Sequence, residues 1–141
     1  MVSKPKCGWS YWTLDNFKEP ISYVDDFPFV LLDKIKCFFE SEECQEIEFD
    51  AEGYFYKIYL GFPVYAKSNK NQECVQICDD MVMFTTQLLE DINRDFEDWV
   101  LFPYYCDTCK DKEKIEEELK RRTEEVRGAM NEWMKRAINM E

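Results

Sequence analysis

The sequence predicts an α+β fold, a small antiparallel β-meander packed with about three helices, and three observations predict it. A period-two alternation begins at Gln45, a helical apolar stripe runs from Cys74 to Trp99, and a second stripe occupies roughly 111–139. With 141 residues, 45% of them hydrophobic and 16% aromatic, the chain is sized for a single domain, 1–141, with a sizeable core. No internal repeat and no low-complexity linker divides it.

In residues 1–26, Trp9, Tyr11, Trp12, Phe17 and Tyr23 fall between Pro5, Gly8 and Pro20, which interrupt any long element, so this segment is expected to wrap the core. Asp26 before Phe27 and Pro28 reads as a capping carboxylate beside a helix-starting proline. Phe29, Leu32, Ile35 and Phe39 then recur at helical spacing, predicting a first helix that ends at Glu40.

From Gln45, Ile47, Phe49 and Ala51 alternate with Glu46, Glu48, Asp50 and Glu52, the pattern of a strand with one buried and one solvated face. Gly53 supplies a turn, Tyr54 to Leu60 reads as the returning strand, and Phe62 to Ala66 as a third. The polar run Lys67 to Glu73 is a loop. Cys74, Ile77, Cys78, Met81, Thr85, Leu88, Ile92, Phe96 and Trp99 keep helical period and predict one long middle helix. The last helix, about 111–139, carries Ile115, Leu119, Val126, Met130 and Trp133 on one side. At 1.5 Å per residue it would be about 40 Å long, longer than a domain of this size is wide. Part of it is therefore expected to project or to mediate association, a homodimer being one arrangement.

Composition excludes more than it assigns. There is no histidine, which removes the commonest general base and the commonest metal ligand. Four glycines leave no phosphate-cradling loop. No apolar run is long enough to span a bilayer or to serve as an export signal. Seven cysteines, an odd number, read as reduced thiols, and a cytoplasmic location is the expectation. The net charge of −12 repels phosphate backbones and anionic lipid, so direct nucleic-acid and membrane binding are disfavoured, and a basic partner surface is favoured.

That charge is clustered. Residues 41–66 hold six acids against one base and 67–103 hold eight against three, so most of the excess lies in predicted folded elements. On the strand, Glu46, Glu48, Asp50 and Glu52 would stand about 6.6 Å apart as a comb of carboxylates. Like charges on one strand face weaken it, so stability alone does not account for the row. The middle helix adds Asp79, Asp80, Glu90, Asp91 and Asp98, which would extend the same surface if strand and helix share a side. These nine carboxylates are the expected partner-binding residues, and spaced negative charge of this kind imitates a nucleic-acid backbone.

Cys106 and Cys109 form a Cys-x-x-Cys pair before the last helix. With no histidine, the zinc set the sequence offers is Cys74, Cys78, Cys106 and Cys109; buried, inert cysteine on the apolar stripe is the preferred reading for the first two. No cofactor and no catalytic residue is assigned. The basic triplet Lys120, Arg121 and Arg122 lies three or four residues from Glu116, Glu117, Glu118, Glu124 and Glu125, and intrahelical pairing accounts for it.

In size and charge the chain is similar to the small acidic inhibitors of bacteria and their phages, among them toxin-neutralising immunity proteins and anti-CRISPR proteins. The similarity is compositional and covers no alignable residues. It implies a non-enzymatic inhibitor that occupies the basic cleft of a nucleic-acid-handling enzyme. The alternative is a structural or adaptor module that assembles through its C-terminal helix, with zinc at the cysteines.

Overall fold

The computed structural model describes residues 1–70, 73–102 and 112–139. It is α+β: a two-stranded sheet, a four-stranded antiparallel sheet and helices that cover one side of the larger sheet. The N-terminal segment does more than wrap. It pairs β1 (Trp9–Tyr11) with β2 (Pro20–Ser22) as a short hairpin, followed by a 3₁₀ turn over Tyr23–Asp25.

Helix α1 (Phe29–Ser41) starts later than the sequence pattern suggests. Asp26 is in the left-handed region at φ 52° and offers only its carbonyl, to Val30 N–H at 3.1 Å. Pro28 is the N-cap residue, with no side-chain capping bond. One face of α1 buries Leu31, Leu32, Ile35, Phe38 and Phe39.

The meander follows in chain order: β3 (Gln45–Asp50), β4 (Phe55–Leu60), β5 (Val64–Ser68) and β6 (Cys74–Cys78). The third strand therefore lies two residues later than expected, and a fourth strand stands where a helix was expected. Val75 and Ile77 are β-branched and pack well on a pleated surface. The Asp80 carboxylate accepts the Met83 N–H at 2.7 Å, which fixes the start of α2 (Met81–Arg94) beyond them. Cys74, Ile77 and Cys78 matched the helical period over one turn only. The predicted long middle helix is thus β6, α2 and a short α3 (Phe96–Leu101).

The inner face of the sheet carries Ile47, Phe49, Tyr56, Ile58, Val64 and Ala66, all buried. Trp12 is the hub of the core: its ring lies 6.0 to 6.1 Å from Phe27, Phe49 and Phe84, and its Nε1–H donates to Tyr56 Oη at 3.0 Å. Tyr56 Oη donates onward to the Pro20 carbonyl at 2.6 Å. Through this chain of contacts the hairpin, the sheet and α2 share one apolar centre.

Helix α4 (Lys112–Asn139) does not project as a free rod. It buries Leu119, Val126 and Met130, and its Trp133 ring packs 5.7 Å from Phe39 and 5.6 Å from Phe62. Polar ties run along it, from Lys112–Glu97 at 3.3 Å through Arg122–Asp33 at 2.9 Å to the Arg136 guanidinium on the Phe39 carbonyl at 3.0 Å. Its apolar stripe is used within the chain. No helix among the described residues is long and apolar enough to cross a membrane.

Candidate functional site

The four-stranded sheet has a covered face and an open one. On the open face the register lines up three cross-strand rows: Glu46, Tyr59, Tyr65 and Gln76; Glu48, Lys57, Lys67 and Cys74; and Asp50 with Phe55. Alternation along β3 puts Ile47 and Phe49 into the core and Glu46 and Glu48 into solvent, so the comb exists as a surface feature. Glu52 lies past the end of β3, in the turn, at φ 57°. Its N–H donates to Asp50 Oδ1 at 2.7 Å.

A residue missed from the sequence completes the comb. Asp25 reaches β3 from the 3₁₀ turn and accepts the Asp50 N–H with both carboxylate oxygens, at 3.1 and 3.2 Å. Ala51 N–H points the other way, to Tyr54 in the hairpin, so the Asp50 N–H belongs to the outer edge of the sheet. Burial first, then the charges of Asp50, Glu52 and Glu48, raise the Asp25 pKa from 3.8 to about 6 in all; the Asp50 hydrogen bond opposes them and is outweighed. Among the described residues, no lysine or arginine forms an ion pair with Asp25, Glu48, Asp50 or Glu52. The signal that could have found Asp25 is its place just ahead of a helix, but its edge contact is set by tertiary structure.

Glu46 belongs to the comb and pairs with Lys57 at 3.5 Å. The other expected site residues separate, Asp98 pairing with Lys4 at 3.7 Å. Asp79 accepts the Gln76 side-chain amide at 2.8 Å. Asp80 is the α2 cap described above. Asp91 is buried, and it binds the Met1 ammonium and the Val2 N–H, each at 2.9 Å, and Arg94 at 2.9 Å. Glu90 is exposed on α2, whose Phe84 packs through Trp12 on the covered side of the sheet. Strand and helix therefore do not present their carboxylates on a common side. The comb stands alone, and Asp80 and Asp91 are structural.

The cysteine set is not assembled as expected. Cys74 and Cys78 lie on a strand, where four residues span about 13 Å rather than the roughly 6 Å of one helical turn, so they do not share an ion. Cys74 is exposed and Cys78 half-buried, in place of the buried positions expected on a helix stripe. Cys106 and Cys109 lie outside the described residues. Among the described residues no group of three or more cysteines and carboxylates is placed to hold a metal ion.

The described residues also line concavities. One, of about 270 Å³, lies on the open sheet face between Glu48, Phe55, Lys57, Tyr59 and Lys67. A second, of about 450 Å³, lies between α2, α3 and α4, with Leu89, Ile92 and Phe96 beneath Glu97, Glu116, Glu124, Lys120 and Arg127. The rim of the second is mixed in sign and partly self-paired, Glu116 with Lys120 at 3.7 Å and Glu97 with Lys112 at 3.3 Å. Comparison with protein-family models, curated proteins and solved structures finds no match.

Proposed function

We propose that the protein is a non-enzymatic inhibitor that lays the acidic margin of its open sheet face into the basic cleft of a nucleic-acid-handling enzyme and excludes the substrate by occupancy, in the manner of anti-CRISPR and immunity proteins. One observation carries this reading: Asp25, Glu48, Asp50 and Glu52 converge at the end of β3 with no lysine or arginine among the described residues paired to them, and their mutual repulsion contributes to raising the Asp25 pKa to about 6. Such repulsion is a standing cost to the free protein that a partner's lysines and arginines would relieve. Carboxylates about 6.6 Å apart on a rigid strand offer spacing close to that of successive phosphates on a nucleic-acid strand. Clustered charge also speeds encounter and makes binding weaken as salt rises.

The adaptor reading draws less support, since the apolar stripe of α4 is already packed on α1. The test is capture from a phage-infected bacterial lysate with the native chain and with a Glu46→Lys, Glu48→Lys, Glu52→Lys variant as baits. The captured enzyme is then assayed with its nucleic-acid substrate. The native chain should bind and inhibit, with affinity falling steeply with salt, and the variant should lose both while its circular dichroism is unchanged. Inhibition that survives the triple reversal would refute the proposal.

A further inference from the structure

We infer that the open sheet face holds two sockets for arginine side chains of a basic protein partner, one at Glu46 and Tyr59 and the other at Asp50 and Phe55. The inference rests on the acidic-docking reading above and adds which cation that surface selects. Register sets Glu46 directly across from Tyr59 and Asp50 directly across from Phe55. In each pair a carboxylate and an aromatic ring therefore leave the same face at neighbouring positions, about 5 Å apart at their Cβ atoms.

The rings are available. Tyr59 stacks one face on Tyr65 at 4.8 Å and 19°. Because β4 lies between β3 and β5, Tyr59 stands in its row between Tyr65 and Glu46 and is half-buried. Phe55 is 45% exposed and has no ring partner among the described residues. A guanidinium is planar: it stacks on a ring while its N–H fork bonds a carboxylate beside it. An ammonium is a compact, strongly hydrated charge: it can sit over a ring, as Lys70 does over Tyr54 at 5.2 Å, but it cannot stack flat on the ring and fork to a carboxylate beside it. A carboxylate next to a bare ring thus favours arginine over lysine.

The two sockets differ in the free protein. Lys57 stands opposite Glu48 but pairs with Glu46 at 3.5 Å, so the chain's own ammonium holds the Glu46 carboxylate, while no lysine or arginine among the described residues pairs with Asp50. When an arginine enters the Glu46 socket, Glu48 is beside Lys57 to receive it. Glu46 and Asp50 are four residues apart on β3, about 13 Å. An extended partner segment with arginines at positions i and i+4 spans the same distance, and the recess of about 270 Å³ between the sockets accommodates its intervening residues.

The test is an NMR titration of the full chain at low salt with three capped peptides of equal charge. One has two arginines separated by three serine or threonine residues, one has lysines at the same places, and one has two arginines separated by a single residue. The first should bind at least five-fold more tightly than the others, with shifts centred on Glu46, Tyr59, Asp50 and Phe55. A Phe55→Leu, Tyr59→Leu variant should erase that preference and leave the affinity for the lysine peptide unchanged. Equal affinity for arginine and lysine peptides overturns the sockets while the acidic docking stands. Loss of all peptide binding also overturns the sockets, and the triple charge reversal then decides the acidic docking separately.

Discussion

Replacing Asp25 by Asn should make the protein more stable at neutral pH, although it removes a residue that holds the sheet edge. The carboxylate is half-buried and has Asp50, Glu52 and Glu48 around it, and these raise its pKa from 3.8 to about 6 against the opposing pull of the Asp50 N–H bond. At about 1.4 kcal/mol per pH unit, that displacement corresponds to a charge penalty of about 3 kcal/mol in the folded state. Solvent screening of a half-exposed group reduces it to about 1 to 2 kcal/mol. The sign follows from linkage: the folded chain takes up the proton more readily than the unfolded chain, so stability is gained as pH falls from about 6 toward 4 and lost as pH rises through about 6. Asparagine keeps an oxygen for the Asp50 N–H and carries no charge. Urea unfolding of both proteins at pH 8 and pH 4 isolates the effect, because the remaining carboxylates titrate in both. The variant should be stabler by about 1 to 2 kcal/mol at pH 8 and level with the native chain at pH 4. An equal or lower midpoint for the variant at pH 8 would show that Asp25 acts as a hydrogen-bonding anchor and not as an uncompensated charge.

Asp91→Asn should destabilise the fold by about 2 to 4 kcal/mol, since it strips a buried carboxylate from the Met1 ammonium, the Val2 N–H and Arg94; thermal unfolding monitored by circular dichroism reads the loss, and partner binding by the surviving folded fraction should be unchanged. Trp133→Ala should cost about 2 to 3 kcal/mol by removing the rings' contact with Phe39 and Phe62. Hydrogen exchange should then quicken in α4 before it does in the sheet.

The α+β class, the meander and the last helix were legible because Ile47 and Phe49 alternate with Glu46 and Glu48, and because Leu119, Val126 and Met130 keep one face over several turns. Where the pattern misled, two periods coincided. Cys74, Ile77 and Cys78 fit a helix turn and an edge strand alike, and the Asp80 cap decided between them. The comb was readable from alternation, but whether its charges have partners was not. Asp91 and Asp80 look like Glu90 in sequence and are set apart only by what folds against them. Asp25 could not be ranked above its neighbour Asp26, since only the tertiary fold brings one of them to the Asp50 N–H.

The N-terminal segment reaches both margins of the four-stranded sheet: the Asp25 carboxylate covers the Asp50 N–H on β3, and the Asn16 amide donates to the Gln76 carbonyl on β6 at 2.8 Å. Left bare, such margins are templates on which one sheet recruits another. A chain shortened to begin after Asp26 would lose Trp12 and Ile21 from its centre and both of these bookends at once. Its expected fate is ordered aggregation rather than a smaller monomer.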